Sequence, residues 1–97
     1  MEDLFYFNEL YDLYGELLTE KQQEYFEEYY FNNLSFSEIA ENYDVSRNAV
    51  FKQLNITKAK LIEYEEKLEL MKKRKIIEEI IQIEANEEIK NKLESIF

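Results

Sequence analysis

Ninety-seven residues, 45% of them apolar, suffice for one small domain whose core folds with little stability to spare. There is no cysteine and no histidine, which excludes disulfides, thiol nucleophiles and the usual zinc or iron ligand sets and leaves only scattered carboxylates as metal ligands. Twelve bases against 22 acids give a formal net charge of −10, a total that repels a phosphate backbone at long range.

No apolar run approaches the ~20 residues that span a bilayer, and the start, Met1-Glu2-Asp3, lacks the positive flank of a signal peptide. A cytoplasmic chain without a membrane span is expected. Proline is absent, glycine occurs once, at Gly15, and Glu, Lys, Leu and Ile are abundant. Little in such a sequence interrupts helices, so the fold class reads as all-α.

In chain order, Leu4, Tyr11, Leu13, Tyr14, Leu17 and Leu18 recur at helical spacing and predict a first amphipathic helix from Leu4 to Leu18. Gly15 lies inside it, either as a tolerated residue or as a mark of close packing. "TEKQ", Thr19 to Gln22, has the form of a capping box and opens a second helix near Glu20. Tyr25, Phe26, Tyr29 and Tyr30 form its inner stripe, and Asn32-Asn33 supplies the stop. "SFSE", Ser35 to Glu38, is a second capping box, opening a short helix with Ile39 and Ala40 inward that runs out at Tyr43-Asp44. Ser46 caps the next helix.

Two helices joined by so short a turn cross steeply. The small Ala40 lets the second approach, and Val45, Val50 and Leu54 are expected to fill the angle. "LSFSEIAENYDVSRNAVFKQL", Leu34 to Leu54, is therefore a helix-turn-helix, with Asp44 at the turn position where glycine is favoured.

The last segment places Ile77, Ile81, Ala85, Ile89, Leu93 and Phe97 four residues apart, widened by Ile76, Ile80 and Ile83. One helix from Lys75 to Phe97 would be about 35 Å long at 1.5 Å per residue. Asn86 offers a place to cap a fresh segment. Such a stripe either folds back on its own domain or pairs with a second copy, and a homodimer is the expectation. The organisation expected is a helix-turn-helix domain over residues 1–70 and a C-terminal helical extension over 71–97.

The acidity is segregated. Residues 1–44 hold twelve acids and one lysine, whereas residues 45–62 hold Arg47, Lys52, Lys58 and Lys60 and no acid. With Val50, Leu54 and Leu61 turned to the core, Asn48, Lys52 and Asn55 point outward, with Arg47 and Phe51 on the N-terminal flank. Arg47, Asn48, Phe51, Lys52, Asn55, Lys58 and Lys60 are thus the candidate nucleic-acid contacts. Arginine and lysine suit phosphates or guanine, and asparagine suits adenine. Phe51, beside Lys52, suits an unpaired base or a protein partner better than a duplex edge. No glycine-rich phosphate loop and no Ser, His and Asp set is present, so neither an enzyme nor a cofactor is expected.

"LYGELLTEKQQEYFEEYYFNNLSFSEIAENYDVSRNAVFKQL" followed by "YEEKLEL" resembles the YlxM family of bacterial proteins over roughly the first seventy residues. The resemblance implies a helix-turn-helix similar to the fourth region of sigma factors. It also implies a regulatory or accessory factor of the signal recognition particle, whose protein and/or RNA would be its partners. Duplex DNA, bound as by a transcriptional regulator, is the alternative.

Overall fold

The computed structural model describes residues 4–97, so the acidic start at Met1-Glu2-Asp3 lies outside it. Six α-helices and no strand occur among the described residues, as the composition implies. The first, α1 (Leu4–Tyr14), buries Phe7, Leu10 and Tyr14 at i, i+3 and i+7.

The helix expected to reach Leu18 ends four residues earlier. Gly15–Leu17 form a single 3-10 turn and Leu18 is extended behind it. The two leucines explain the change: in a continued α-helix they would lie side by side on the stripe below Tyr14. Unwinding turns Leu18 into the core at 6% exposure and leaves Leu17 outside at 56%. Gly15 is a packing residue. A Cβ there would stand 3.1–3.2 Å from the ring of Tyr11, and that ring is held by stacking on Phe26 and by its hydroxyl donating to Glu27 at 2.5 Å.

Helix α2 (Glu20–Tyr30) starts at the capping box. Thr19 Oγ1 accepts from the Gln22 backbone N–H at 3.2 Å, and Gln22 Oε1 accepts from the Thr19 N–H at 3.0 Å. It buries Tyr25 and Phe26. Asn33, at φ 57°, turns the chain after it. Ser35 and Glu38 form the second box, opening α3 (Phe36–Tyr43). The two Ser35 hydrogen bonds favour the charged Glu38 carboxylate and hold its pKa below the usual range.

After Ser46 the chain forms α4 (Arg47–Leu68), 22 residues long. This helix is the common wall of two apolar clusters. Leu61 closes one with Phe7, Leu10, Tyr14, Leu18 and Phe26, and Val50 and Leu54 close the other with Tyr25, Ile39 and Ala40. Thr57 is fully buried between them, its hydroxyl donating to the Gln53 carbonyl at 2.8 Å, so a polar residue sits in the seam without an unmet hydrogen bond.

Glu69, left-handed at φ 55°, breaks α4 from α5 (Leu70–Ile83). The new N-terminus has no capping side chain of its own. Glu65, one turn back on α4, takes that role. Its carboxylate accepts from the backbone N–H of Met71 at 2.9 Å and of Lys72 at 3.3 Å, and from the buried Tyr14 hydroxyl at 2.6 Å. Tyr14 in turn accepts from the Leu70 N–H at 3.0 Å. Three orphan donors of a helix start are satisfied across three helices.

The stretch from Lys75, read either as one helix or as two broken at Asn86, is two helices. α5 begins earlier and ends at Ile83, and α6 (Glu87–Glu94) starts at Asn86, whose Oδ1 accepts from the N–H groups of Glu88 and Ile89. α6 packs back on α5 and α5 packs on α1. Ile77, Ile81, Leu93 and Phe97 line one cleft, and Ile96 and Phe97 line a second with Asp12, Leu13 and Leu70. Of the i+4 stripe, Ile77, Ile81 and Leu93 are half-buried within the chain, whereas Ile89 and Phe97 keep 43% and 50% exposure and Ala85 falls in the break and is exposed. Arg74 ties α5 to α1 by pairing with Asp12 at 3.0 Å and Glu9 at 3.8 Å.

Candidate nucleic-acid interface

The α3–α4 corner is built by its turn. Asp44 adopts the left-handed conformation, φ 54° and ψ 48°, which a short polar side chain tolerates better than most non-glycine residues. The Val45 N–H then donates back to the Ala40 carbonyl at 3.0 Å, closing α3. Ser46 Oγ accepts from the Ala49 N–H at 3.0 Å and opens α4. Val45, expected to fill the angle, is 40% exposed. In so tight a turn its backbone closes α3 and its side chain stays at the rim, so Ile39, Ala40, Val50 and Leu54 fill the angle without it.

Anchoring of Val50, Leu54, Thr57 and Leu61 fixes the face that α4 turns to solvent. Arg47, Asn48, Phe51, Lys52 and Asn55 are all exposed and gather on its first three turns. Lys58 and Lys60 do not join them. Both are half-buried on the flanks, Lys58 with Nζ 5.7 Å from the Phe7 ring and Lys60 with Nζ 3.5 Å from Gln22 Oε1. Their stems cover the core, and their charges widen the basic zone from its edges.

Two local features lay hidden in the sequence. Phe51 meets Phe36 edge to face at 5.5 Å, Phe36 stacks on Tyr29 at 5.0 Å, and the Arg47 guanidinium lies 5.5 Å from the Phe36 ring. An aromatic ladder thus orients Arg47 from behind and fixes one edge of Phe51, which keeps 48% exposure. On the opposite flank Gln22 donates to Gln53 at 3.2 Å, locking α2 to α4. Aromatics at 29, 36 and 51 stand on three separate helices, so no periodicity joins them.

The charge arrangement favours an anionic partner at this face. Lys52 makes no ion pair among the described residues. The first acid on α4 is Glu63, about 16 Å along the axis from Lys52 at 1.5 Å per residue, roughly two screening lengths at physiological salt. Glu38 and Glu41 on the packed neighbour α3, and Asp44 in the turn after it, are exposed, so approach is favourable from the α4 side. No group of three or more metal-ligating side chains capable of holding a metal occurs among the described residues, and no described helix is long and apolar enough to cross a membrane.

A family described as "Putative helix-turn-helix protein, YlxM / p13 like" (UPF0122) matches residues 1–96. A UPF0122 protein of Shouchella clausii is 53% identical over 66 residues, which are 68% of this chain and 61% of that one. One of Halalkalibacterium halodurans is 51% identical over 75 residues, 77% of this chain and 69% of the other. One of Bacillus cereus strain AH187 is 43% identical over 98 residues, covering 92% and 89%. The corner built around Asp44 and Ser46 and a family match across nearly the whole length agree: the chain belongs to the UPF0122 family of YlxM / p13-like helix-turn-helix proteins.

Proposed function

We propose that this chain is a non-enzymatic, cytoplasmic regulator that binds nucleic acid by seating the opening turns of α4 in a duplex major groove. Residues 1–70 are the binding domain and 71–97 its extension. The observation that carries the reading is the exposed face of Arg47, Asn48, Lys52 and Asn55 at the N-terminus of a helix locked at a short turn against α3. Lys52 and Arg47 hold phosphate or guanine, and Asn48 or Asn55 pairs with adenine. Lys58 and Lys60 add phosphate contacts at the edges. Selection from a random duplex pool tests the proposal. One enriched motif, bound ~10³-fold or more tighter than the pool, supports it. A pool without enrichment removes it.

The exposed Phe51 and Ile56 beside Lys52 favour a second reading, in which the same face meets the signal recognition particle, as the YlxM resemblance implies. Stacking on unpaired RNA bases or packing against the particle protein uses an apolar residue that a groove does not. Capture from cell extract with and without nuclease separates the two. Retention of particle protein or RNA supports the second reading, and loss of all partners after DNase supports the first.

A further inference from the structure

The acids of residues 1–44 are accompanied by one base, Lys21, in the first turn of α2. Its Nζ stands 4.7 Å from the centre of the Tyr43 ring and 5.8 Å from that of Tyr25. Cation–π attraction thus holds the ammonium at the end of α3, beside the turn that leads into α4. Glu24, at 3.8 Å, is the one carboxylate paired with it among the described residues. That distance is too long for a hydrogen bond and the pair is exposed, so Glu24 neutralises little of the charge. The Lys21 side chain keeps 56% exposure.

The next residue fixes where this charge stands relative to α4. Gln22 donates to Gln53 at 3.2 Å and accepts from Lys60 Nζ at 3.5 Å, so the start of α2 borders the flank of α4 that carries Gln53 and Lys60. Arg47 and Phe51 stand on the other flank, against Phe36, across the buried stripe of Val50, Leu54 and Leu61. Phe36 and Tyr43 are the first and last residues of α3. The rings at its two ends each hold one cation, Arg47 for one flank of α4 and Lys21 for the other.

We propose that Lys21 is a phosphate contact of the nucleic-acid interface, gripping the strand that passes the α2 flank of α4 while Arg47 grips the strand that passes the opposite flank. The inference rests on the reading of α4 as a groove helix. A major groove about 12 Å wide takes a helix about 10–12 Å across and brings a phosphate ridge along each of its sides. On the α2 side that ridge meets the half-buried Lys60 and the exposed Lys21. Glu20 and Glu24 lie beside Lys21 on α2 and repel phosphate at a distance, so Lys21 acts once α4 has seated and not in long-range capture. An ammonium on a phosphate carries no base preference.

Fluorescence anisotropy with a random-sequence duplex of about 20 base pairs, across a salt series, tests the contact. Lys21→Met keeps an unbranched apolar stem against Tyr43 and removes the charge. It is expected to leave the far-UV circular dichroism spectrum unchanged, weaken binding several-fold and lower the salt slope by about one. Lys21→Gln, a second neutral variant, should match it, and Lys21→Arg should keep the wild-type slope. Lys52→Ala, on the outer face of α4, is measured beside them. A slope lowered by Lys52→Ala but unchanged in both neutral Lys21 variants overturns the proposal and leaves the α4 reading standing, the outcome expected if Lys21 only braces Tyr43. A slope lowered in the Lys21 variants but not in Lys52→Ala supports the phosphate contact and removes the α4 reading. A wild type that binds no duplex at about 50 mM salt overturns both.

Discussion

Replacing Glu65 by alanine removes the acceptor on which the α4–α5 joint depends. The carboxylate serves the Tyr14 hydroxyl at 2.6 Å and the backbone N–H groups of Met71 and Lys72 at 2.9 and 3.3 Å. Tyr14 is fully buried, and a hydrogen bond from such a hydroxyl to a carboxylate contributes about 1.5–3 kcal/mol. Loss of a helix N-terminal cap costs about 0.5–2 kcal/mol. Because one carboxylate makes both contributions they overlap, and the expected loss is about 3 kcal/mol. That is a large fraction of the 5–15 kcal/mol typical of a domain. Tyr14→Phe removes the hydroxyl alone and leaves the Leu70 N–H without its acceptor, an expected loss of about 2 kcal/mol. The double variant should lose little more than Glu65→Ala, a coupling of about 1–2 kcal/mol. Urea denaturation followed by far-UV circular dichroism, at pH 7 and fixed salt, measures all three. A loss below about 0.5 kcal/mol for Glu65→Ala, or additive single losses, would refute the shared-cap reasoning.

Glu69 is left-handed without being glycine, and its ion pair with Lys72 is exposed. Glu69→Gly should therefore raise stability by about 1 kcal/mol in the same urea assay. Burial, then the hydrogen bond to Glu65, pushes the Tyr14 phenol up to about 12 from its ordinary 10, and Tyr11 is raised likewise by burial and Glu27. Between pH 10 and 12 the unfolded chain has lost a proton that the native chain keeps, so stability should fall as pH rises through that window. Thermal melts at stepped alkaline pH check this, and the fall should be shallower in Tyr14→Phe. Lys52→Ala should leave the melting temperature unchanged and lower the salt slope of duplex binding by about one, read by fluorescence anisotropy across a salt series.

The sequence by itself determined the local elements whose signals are local. Thr19 with Gln22, Ser35 with Glu38, Ser46 and Asn86 each sit within three residues of the donors they satisfy, so spacing alone locates these helix starts. The spacing of Val50, Leu54 and Leu61 likewise fixed which face of α4 is buried. Tertiary structure decided what depends on residues far apart in the chain. The end of α1 at Tyr14 follows from where Leu18 finds the core, and the α5 cap joins Tyr14 to residues more than fifty positions later. The retreat of Lys58 and Lys60 to the flanks was fixed by Phe7 on α1 and Gln22 at the start of α2. The isoleucines after Lys75 are alike in hydropathy. Only the return of α6 onto α5 separates Ile77 and Ile81, which it covers, from Ile76, Ile80 and Ile83, which it leaves exposed, because burial belongs to the packed partner and not to the residue.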